Sequence, residues 1–370
     1  MFLLPPLEEL KARQAKFAEG LAKKKLPGAL ITDDANMRYL SGFAGHDSAL
    51  LFTPKHKLLL TDFRYLEEGQ KTSPGWKVAI RPIKTNLLAW AAQQAKKHKL
   101  AALGVERTAF TLAQRDALRK EHSKLKLLPQ GGLLEDQRLA KSAWEVSQIE
   151  AALRIQERAF VQVCKMLKPG IREFEAAAEL RYLMLKAGAD DQAFDCMFQW
   201  GSSSSLPHGR VTDKPMPAEC IVLIDWGARY NGYHGDLTRT FFIGNIPRRL
   251  REIHEIVGTA QARSLERIKP GVTFKEADSA ARNVIRKAGY GKLFGHGTGH
   301  GLGLRIHEAP RLNQSTPGKL QPGMVVTVEP GIYVAGVGGV RIEDDVLVTK
   351  DGARILSRMP KGLRWDGSNK

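Results

Sequence analysis

Hydrophobic and polar positions along the first third of the chain follow alternating helix and strand periods. Residues 7–26 have the spacing of an amphipathic helix, and the stretches 86–99 and 111–121 predict two further helices. Short apolar runs predict strands at 28–32, 49–53 and 58–62. Helices that alternate with strands are typical of an α/β unit. We therefore expect an α/β domain over residues 1–135, with a linker at 133–141.

A second pattern begins at Ser142. Ser142 and Glu145 have the spacing of a capping box, and apolar residues then recur with a helical period as far as Leu167. The stretch 167–188 is echoed at 268–289, where K-P-G, E-A, R and K-A-G recur in the same order. Each copy predicts a helix stop followed by a helix that ends at K-A-G.

The repeat continues into two apolar strands that end in carboxylates. Residues 221–227 and 325–331 each contain an apolar strand, then Asp225 or Glu329, then one further residue and a glycine. A repeated unit of this kind predicts an α+β domain over residues 142–360, with two halves related by a pseudo-two-fold axis. The alternative is that K-P-G and K-A-G are common helix punctuation and that their recurrence is accidental.

Each half also has a second acidic residue after a glycine turn. Asp236 follows Asp225, and Glu343 follows Glu329. Two hairpin-like strand pairs, one in each half, would therefore bring four carboxylates together. Neighbouring carboxylates repel one another unless positive charge lies among them. Two divalent metal ions would provide that charge, and oxygen ligands with one imidazole suit manganese, cobalt, iron or zinc.

Imidazole groups are concentrated in a glycine-rich stretch of the same domain. His296, His300 and His307 lie within twelve residues, and the surrounding glycines allow the backbone to approach a site closely. A single histidine would more often have a structural role. A cluster of this kind favours a metal-binding or catalytic role.

Several short motifs follow one another in the second domain. They are L-P-H-G at 206–209, D-W-G at 225–227, D-L-T-R-T at 236–240, H-G-T-G-H at 296–300, H-E at 307–308, E-P-G at 329–331 and R-I-E at 341–343. Together they resemble the pita-bread metallopeptidases, in particular the Xaa-Pro aminopeptidase and prolidase branch. Residues 1–135 are similar to the creatinase-like N-terminal domain of that branch. The resemblance implies an α/β creatinase-like domain followed by an α+β pita-bread catalytic domain.

The resemblance also implies a set of ligands for two divalent metal ions. Asp236 and Glu343 would bridge the two ions. His300 and Glu329 would complete the coordination of one ion, and Asp225 would mainly serve the other. Manganese is the first expectation for the metal, with cobalt, iron or zinc as alternatives.

Catalytic and substrate-binding roles follow from the same resemblance. Glu329 would also pass a proton toward the leaving nitrogen, His307 would stabilise the tetrahedral intermediate, and His208 would contact the substrate near the scissile bond. The candidates for shaping the substrate pocket, or for supporting it, are His296, Tyr333 and Arg341.

The implied activity is hydrolysis of the Xaa-Pro bond at a peptide N-terminus, by an aminopeptidase or a dipeptidase that forms a homodimer. One alternative is a hydrolase or lyase of the same fold that acts on a small non-peptide substrate. Another is a binding module without catalytic activity. Relatives of both kinds have lost metal ligands, so the complete set in this chain favours the peptidase.

The composition of the chain limits the classes of binding partner that we expect. The formal net charge is +18, but the excess is spread over both halves, and the short basic run 23–25 has no aromatic stacking motif beside it. We therefore expect no specific nucleic-acid partner. No apolar run approaches the length of about 18 residues that a membrane span needs. The three cysteines are widely spaced, which predicts buried, reduced thiols in a cytoplasmic protein.

Overall fold

The computed structural model describes residues 3–364. The chain divides into two compact units, Met1–Arg138 and Leu139–Lys370. Each unit has its own buried apolar core. The domain bounds of 1–135 and 142–360 stay a prediction.

The N-terminal unit is built around one mixed sheet. Its strands are β1 (Ala29–Ile31), β2 (Ala49–Phe52), β3 (Lys57–Thr61), β4 (Lys77–Ile80), β5 (Ala102–Val105) and β6 (Lys126–Pro129). Their order is β4-β3-β2-β1-β5-β6, with antiparallel pairing in the centre and parallel pairing toward both edges. The helices are α1 (Leu7–Lys23), α2 (Asp34–Ser41), α3 (Leu66–Thr72), α4 (Leu87–Lys97), α5 (Leu112–Glu121) and α6 (Leu133–Arg138).

The elements predicted for this unit are confirmed, with ends that differ by three residues at most. The predicted linker at 133–141 is wrong over most of its length, because α6 occupies residues 133–138 and buries Leu134. The side chain of Leu133 lies against Gly20 of α1, where an added Cβ would be 3.0 Å from it. The missing side chain at Gly20 therefore leaves space for α6 to pack, and this contact was not visible as a local pattern.

The C-terminal unit is an α+β structure. Its helices are α7 (Ala143–Cys164), α8 (Glu173–Lys186), α9 (Arg248–Leu265) and α10 (Phe274–Lys287). Its strands are β7 (Asp191–Gln192), β8 (Met197–Trp200), β9 (Cys220–Trp226), β10 (Ala228–Tyr230), β11 (Tyr233–His234), β12 (Leu237–Ile243), β13 (Gly299–Gly301), β14 (Glu308–Leu312), β15 (Val325–Val328), β16 (Gly331–Val334), β17 (Gly338–Arg341), β18 (Asp344–Val348) and β19 (Ala353–Ile355).

The strands of this unit form several antiparallel sheets. A three-stranded sheet has the order β12-β9-β8, and a five-stranded sheet has the order β14-β13-β15-β18-β19. The smaller sheets are β11-β10-β7 and β16-β17. The predicted capping box is confirmed at the start of α7, where the Ser142 hydroxyl accepts from the backbone N–H of Glu145.

The internal repeat is visible in the backbone as well as in the sequence. The N–H of Gly170 donates to the carbonyl of Met216, and the N–H of Gly271 donates to the carbonyl of Leu320, both at 2.9 Å. The helices that follow, α8 and α10, pack against α7 and α9 respectively. Each half then supplies an antiparallel pair, β9 with β12 and β15 with β18. The predicted pseudo-two-fold arrangement is therefore confirmed.

The described residues also bear on two compositional predictions. Burial raises the pKa of the Cys196 thiol to about 12 and that of the Cys220 thiol to about 11, and Cys164 is also buried and unbridged. Across residues 3–364, no helix combines the length and the apolar character that a bilayer crossing needs.

Candidate metal centre

Two antiparallel strand pairs bring the predicted carboxylates together. Asp225 lies near the end of β9, and Asp236 immediately precedes β12, whose Thr238 is the register partner of Asp225. In the other half, Glu329 directly follows β15, and Glu343 directly precedes β18. The loop ends of both pairs are therefore the places where the acidic side chains converge.

A compact group of ligand atoms lies at this point. Asp236, His300 and Glu343 each offer one atom, and these atoms all lie within 4.8 Å of one another. The Nε2 atom of His300 is 3.6 Å from Asp236 Oδ2 and 3.4 Å from Glu329 Oε1. The Nδ1 atom lies 3.0 Å from the carbonyl oxygen of Gly301, which can only accept. Nδ1 therefore carries the hydrogen, and the Nε2 lone pair faces the carboxylates.

The electrostatics of this group favour a bound cation. Burial and neighbouring carboxylates raise the pKa values of Asp236 and Glu343 well above their usual range. Burial also raises the pKa of Glu329 to about 7 and lowers the pKa of His300 to about 3, so the imidazole is neutral. Asp225 Oδ1 is buried and has no hydrogen-bond partner within residues 3–364. Buried acids with an orphaned oxygen beside a neutral imidazole fit divalent metal ions.

Two threonines that sequence analysis missed hold the acidic side chains. The hydroxyl of Thr238 donates to Glu343 Oε2 at 2.6 Å, and that of Thr327 donates to Glu329 Oε1 at 3.2 Å. Each threonine lies two residues from an acidic residue at a strand end, Thr238 from Asp236 and Thr327 from Glu329. Side chains two positions apart in a strand share a face. That period could have identified both threonines.

The predicted pocket residues form a chain of contacts that starts at Asp225 and passes through the buried side chains of Arg341 and Tyr333. Arg341 Nη2 donates to Asp225 Oδ2 at 2.5 Å, and Arg341 Nη1 donates to the Tyr333 hydroxyl at 2.9 Å. The hydroxyl in turn lies 2.9 Å from His296 Nε2. The opposite nitrogen of His296 contacts the Gly297 carbonyl, so Nε2 accepts from Tyr333. Burial and Arg341 lower the pKa of His296 to about 4, which keeps this ring neutral.

A cavity of about 420 Å³ opens in front of the carboxylates. His208 and His307 are exposed in it, and the ring of His307 lies 4.4 Å from that of His300, centroid to centroid. All predicted site residues except Tyr333 line the cavity, and Tyr333 is buried. The lining comprises Phe194, Asp195, Met197, Pro207, His208, Asp225, Asp236, His296, Gly297, Gly299, His300, Ile306, His307, Arg311, Asn313, Glu329, Arg341 and Glu343.

Two charged lining residues were not predicted. Arg311 belongs to β14 and is the register partner of His300 in β13. It is exposed, and no described carboxylate forms an ion pair with it. Asp195 precedes β8 and is also exposed. Arginine and aspartate are common on protein surfaces, so neither residue was distinguishable before the cavity was seen.

A buried carboxylate holds the loop that carries His208. Glu173, at the start of α8, accepts from the N–H of Thr212 at 2.9 Å and from its hydroxyl at 2.7 Å. It also accepts from the Ser203 hydroxyl at 2.8 Å and from the N–H of Trp200 at 3.3 Å. The two ends of the segment 200–212 are therefore fastened to one fully buried side chain.

Glu173→Gln is expected to lower the free energy of unfolding by about 2 kcal/mol, because charge-assisted hydrogen bonds are weakened in a buried position. Hydrogen exchange should accelerate most in the segment 200–212. Glu179→Gln, on the same helix and without a side-chain hydrogen bond, is the matched control. Equal stability and equal exchange in both variants would contradict this anchoring role.

Known proteins share both units. A model of the Creatinase/Prolidase N-terminal domain matches residues 13–140, and the model of Metallopeptidase family M24 matches residues 147–350. The Xaa-Pro dipeptidase of Pyrococcus horikoshii is 34% identical over 368 residues, which cover 96% of this chain and 100% of that protein.

Solved structures agree over nearly the whole length. An Xaa-Pro dipeptidase from Bacillus anthracis has a TM-score of 0.92 and 37% identity, and the match covers 96% of this chain and 99% of that one. An X-Pro aminopeptidase from Thermotoga maritima has a TM-score of 0.88 and 33% identity, with 95% and 99% covered. The predicted family and the predicted pita-bread fold with its creatinase-like domain are confirmed. The chain is a hydrolase that uses divalent metal ions and belongs to metallopeptidase family M24.

Proposed function

We propose that this hydrolase cleaves the Xaa-Pro bond of dipeptides. The observation that carries this proposal is Arg311, an unpaired guanidinium group in the same cavity as the carboxylate and imidazole cluster. Similar proteins named Xaa-Pro dipeptidase add support. The metal ligands that we propose are Asp225, Asp236, His300, Glu329 and Glu343.

Two divalent ions fit this ligand set, and manganese is our first expectation. Asp236 and Glu343, the most deeply buried acids of the group, would hold both ions, as the family resemblance implies. Asp225 has an oxygen without a hydrogen-bond partner among the described residues and would bind one ion. His300 and Glu329 would bind the other. Bound ions of this kind lower the pKa of a water molecule and polarise the scissile carbonyl.

The side chains around this centre provide the remaining steps. Glu329 would accept the proton of the attacking water and deliver it to the leaving proline nitrogen. His307 donates a hydrogen bond to the oxygen of the tetrahedral intermediate. His208 contacts the substrate beside the scissile bond, and His296 and Arg341 shape the pocket around it. A Xaa-Pro bond has no N–H group that could donate a hydrogen bond to the enzyme. Selectivity for proline therefore depends on how well the pocket fits the rigid pyrrolidine ring.

The charges of the cavity match a short zwitterion. Arg311 offers a planar pair of N–H groups that can bind a carboxylate in a bidentate manner. A dipeptide has its carboxylate on the proline itself, one residue from the scissile bond. Its α-amine would then lie toward the acidic group around Asp225. A longer peptide would lack the carboxylate at that distance.

On a substrate panel with the manganese-loaded protein, we expect Ala-Pro to be cleaved much faster than Ala-Ala, and acetyl-Ala-Pro to resist. Ala-Pro-Ala should also be a poorer substrate than Ala-Pro. Arg311→Met should lower kcat/KM for Ala-Pro by roughly tenfold to a hundredfold, chiefly through KM, because a charge-assisted pair is lost. Arg267→Met, an exposed arginine outside the cavity, is the control.

Each alternative has its own outcome on this panel. Equal rates for Ala-Pro and Ala-Ala would reject proline selectivity, and a preference for Ala-Pro-Ala would indicate an aminopeptidase. Absence of peptide hydrolysis with metal bound would favour a small non-peptide substrate. Absence of both metal and hydrolysis would favour a binding module. A homodimer and a cytoplasmic location stay predictions.

A further inference from the structure

One stretch of the cavity lining has no role in the proposed mechanism. Phe194, Asp195 and Met197 line the cavity together, close to the strand that carries Asp225. Met197 of β8 is the register partner of Asp225 in β9. The ring of Phe194 lies against Gly227, 2.8 Å from where a Cβ would be. Two apolar side chains and one acid therefore form the part of the cavity lining beside Asp225.

Asp195 is available for a ligand. Its Oδ1 atom accepts a hydrogen bond from Gln192 Nε2 at 2.9 Å. No described lysine or arginine forms an ion pair with Asp195, although the chain carries a net charge of +18. Its other carboxylate oxygen has no partner among residues 3–364. An exposed carboxylate of this kind gives the cavity a negative charge beyond the metal ligands.

The two charges of the cavity without an ion-pair partner among the described residues come from different parts of the C-terminal unit. Arg311 lies in β14 of the five-stranded sheet, whereas Asp195 lies two residues before β8, a strand of the three-stranded sheet. If the proline carboxylate binds at Arg311 and the α-amine lies toward Asp225, the side chain of the N-terminal residue would lie near the part of the lining formed by Phe194, Asp195 and Met197. Lysine and arginine have an apolar stem that packs on such side chains and a cation at its end.

We propose that Asp195 selects dipeptides whose N-terminal residue is lysine or arginine. The proposal rests on the proposed Xaa-Pro dipeptidase function and names a substrate class for it. Phe194 and Met197 contact the stem of the substrate side chain, and Asp195 pairs with its charged end. Dipeptides with an N-terminal glutamate are disfavoured by the same carboxylate.

The test compares kcat/KM for Lys-Pro, Leu-Pro and Glu-Pro on the metal-loaded protein. We expect Lys-Pro to be the best substrate and Glu-Pro the poorest. Asp195→Asn should lower kcat/KM for Lys-Pro by about fivefold, the upper range for an exposed ion pair, and leave Leu-Pro unchanged. Asp351→Asn, which removes an exposed acid from a surface turn, should change none of the three values. The preference for Lys-Pro should weaken at 1 M salt.

The possible outcomes distinguish a failure of this proposal from a failure of the proposed dipeptidase function. An equal loss for all three dipeptides in Asp195→Asn would show that Asp195 binds the α-amine they share, and would overturn the proposal. Cleavage of Leu-Pro at the same rate as Lys-Pro by the parent protein would also overturn it and leave the dipeptidase function intact. If no Xaa-Pro dipeptide is cleaved, the proposed function itself fails.

Discussion

Asp236→Ala is expected to abolish hydrolysis and to reduce bound metal to one ion or none. Asp236 is buried, and its ligand atom lies within 4.8 Å of those of His300 and Glu343. If Asp236 holds both ions, as we propose, its loss would disrupt the whole centre and should lower kcat/KM by roughly a thousandfold or more. Elemental analysis after gel filtration and a dipeptide assay in excess manganese measure the two effects.

Asp236→Asn provides the companion variant, because it keeps the volume of the buried side chain and removes its charge. It should also lose metal, while its circular dichroism spectrum stays that of the parent protein. Asp351→Ala controls for removal of an acidic side chain outside the cavity. Two bound ions together with full activity in Asp236→Asn would contradict the ligand assignment.

His307→Ala should have the opposite signature, with normal metal content and turnover lowered by roughly a hundredfold. The His307 ring is exposed in the cavity and contacts the ring of His300, but it is not part of the group of converging ligand atoms. A donor that acts on the tetrahedral intermediate contributes on this scale. Steady-state kinetics should show the loss mainly in kcat, with KM nearly unchanged.

The matched control for that variant is His122→Ala, which removes a histidine from the end of α5 in the N-terminal unit. It should behave as the parent protein in both measurements. If His307→Ala loses an ion, His307 is a metal ligand and its proposed role is wrong. If both metal and turnover are retained, the intermediate is stabilised by another group.

Local patterns were sufficient for much of the fold and for the ligand candidates. The helices α1 and α4 follow from apolar spacing alone, since each buries one face, whereas α5 buries only Leu118. Asp225 and Glu329 were recognisable because a carboxylate at the end of an apolar strand, followed by a glycine, occurs twice. The repeat also indicated that the two strand ends would meet, and Asp225 and Glu329 do line the same cavity.

Patterns failed where a contact depends on a partner distant in sequence. The pattern at 133–141 predicts a linker, whereas the structure has α6 at 133–138, because the packing of this helix depends on the space beside Gly20 rather than on its own period. Glu173 resembles any acidic residue at a helix start. Only the folded chain shows that it accepts hydrogen bonds from both ends of the segment 200–212.

The sequence by itself determined the family, the two-part organisation and the candidate metal ligands, because each of these is recorded in short motifs and their order. The tertiary structure alone decided which other side chains share the cavity. Arg311 comes from β14 and Asp195 from the connection between β7 and β8, and their charges matter because folding brings both into one cavity without an ion-pair partner among the described residues. A charged side chain can bind a ligand only where the fold places it in a suitable cavity. In this protein the cavity is lined by residues more than a hundred positions apart in the sequence.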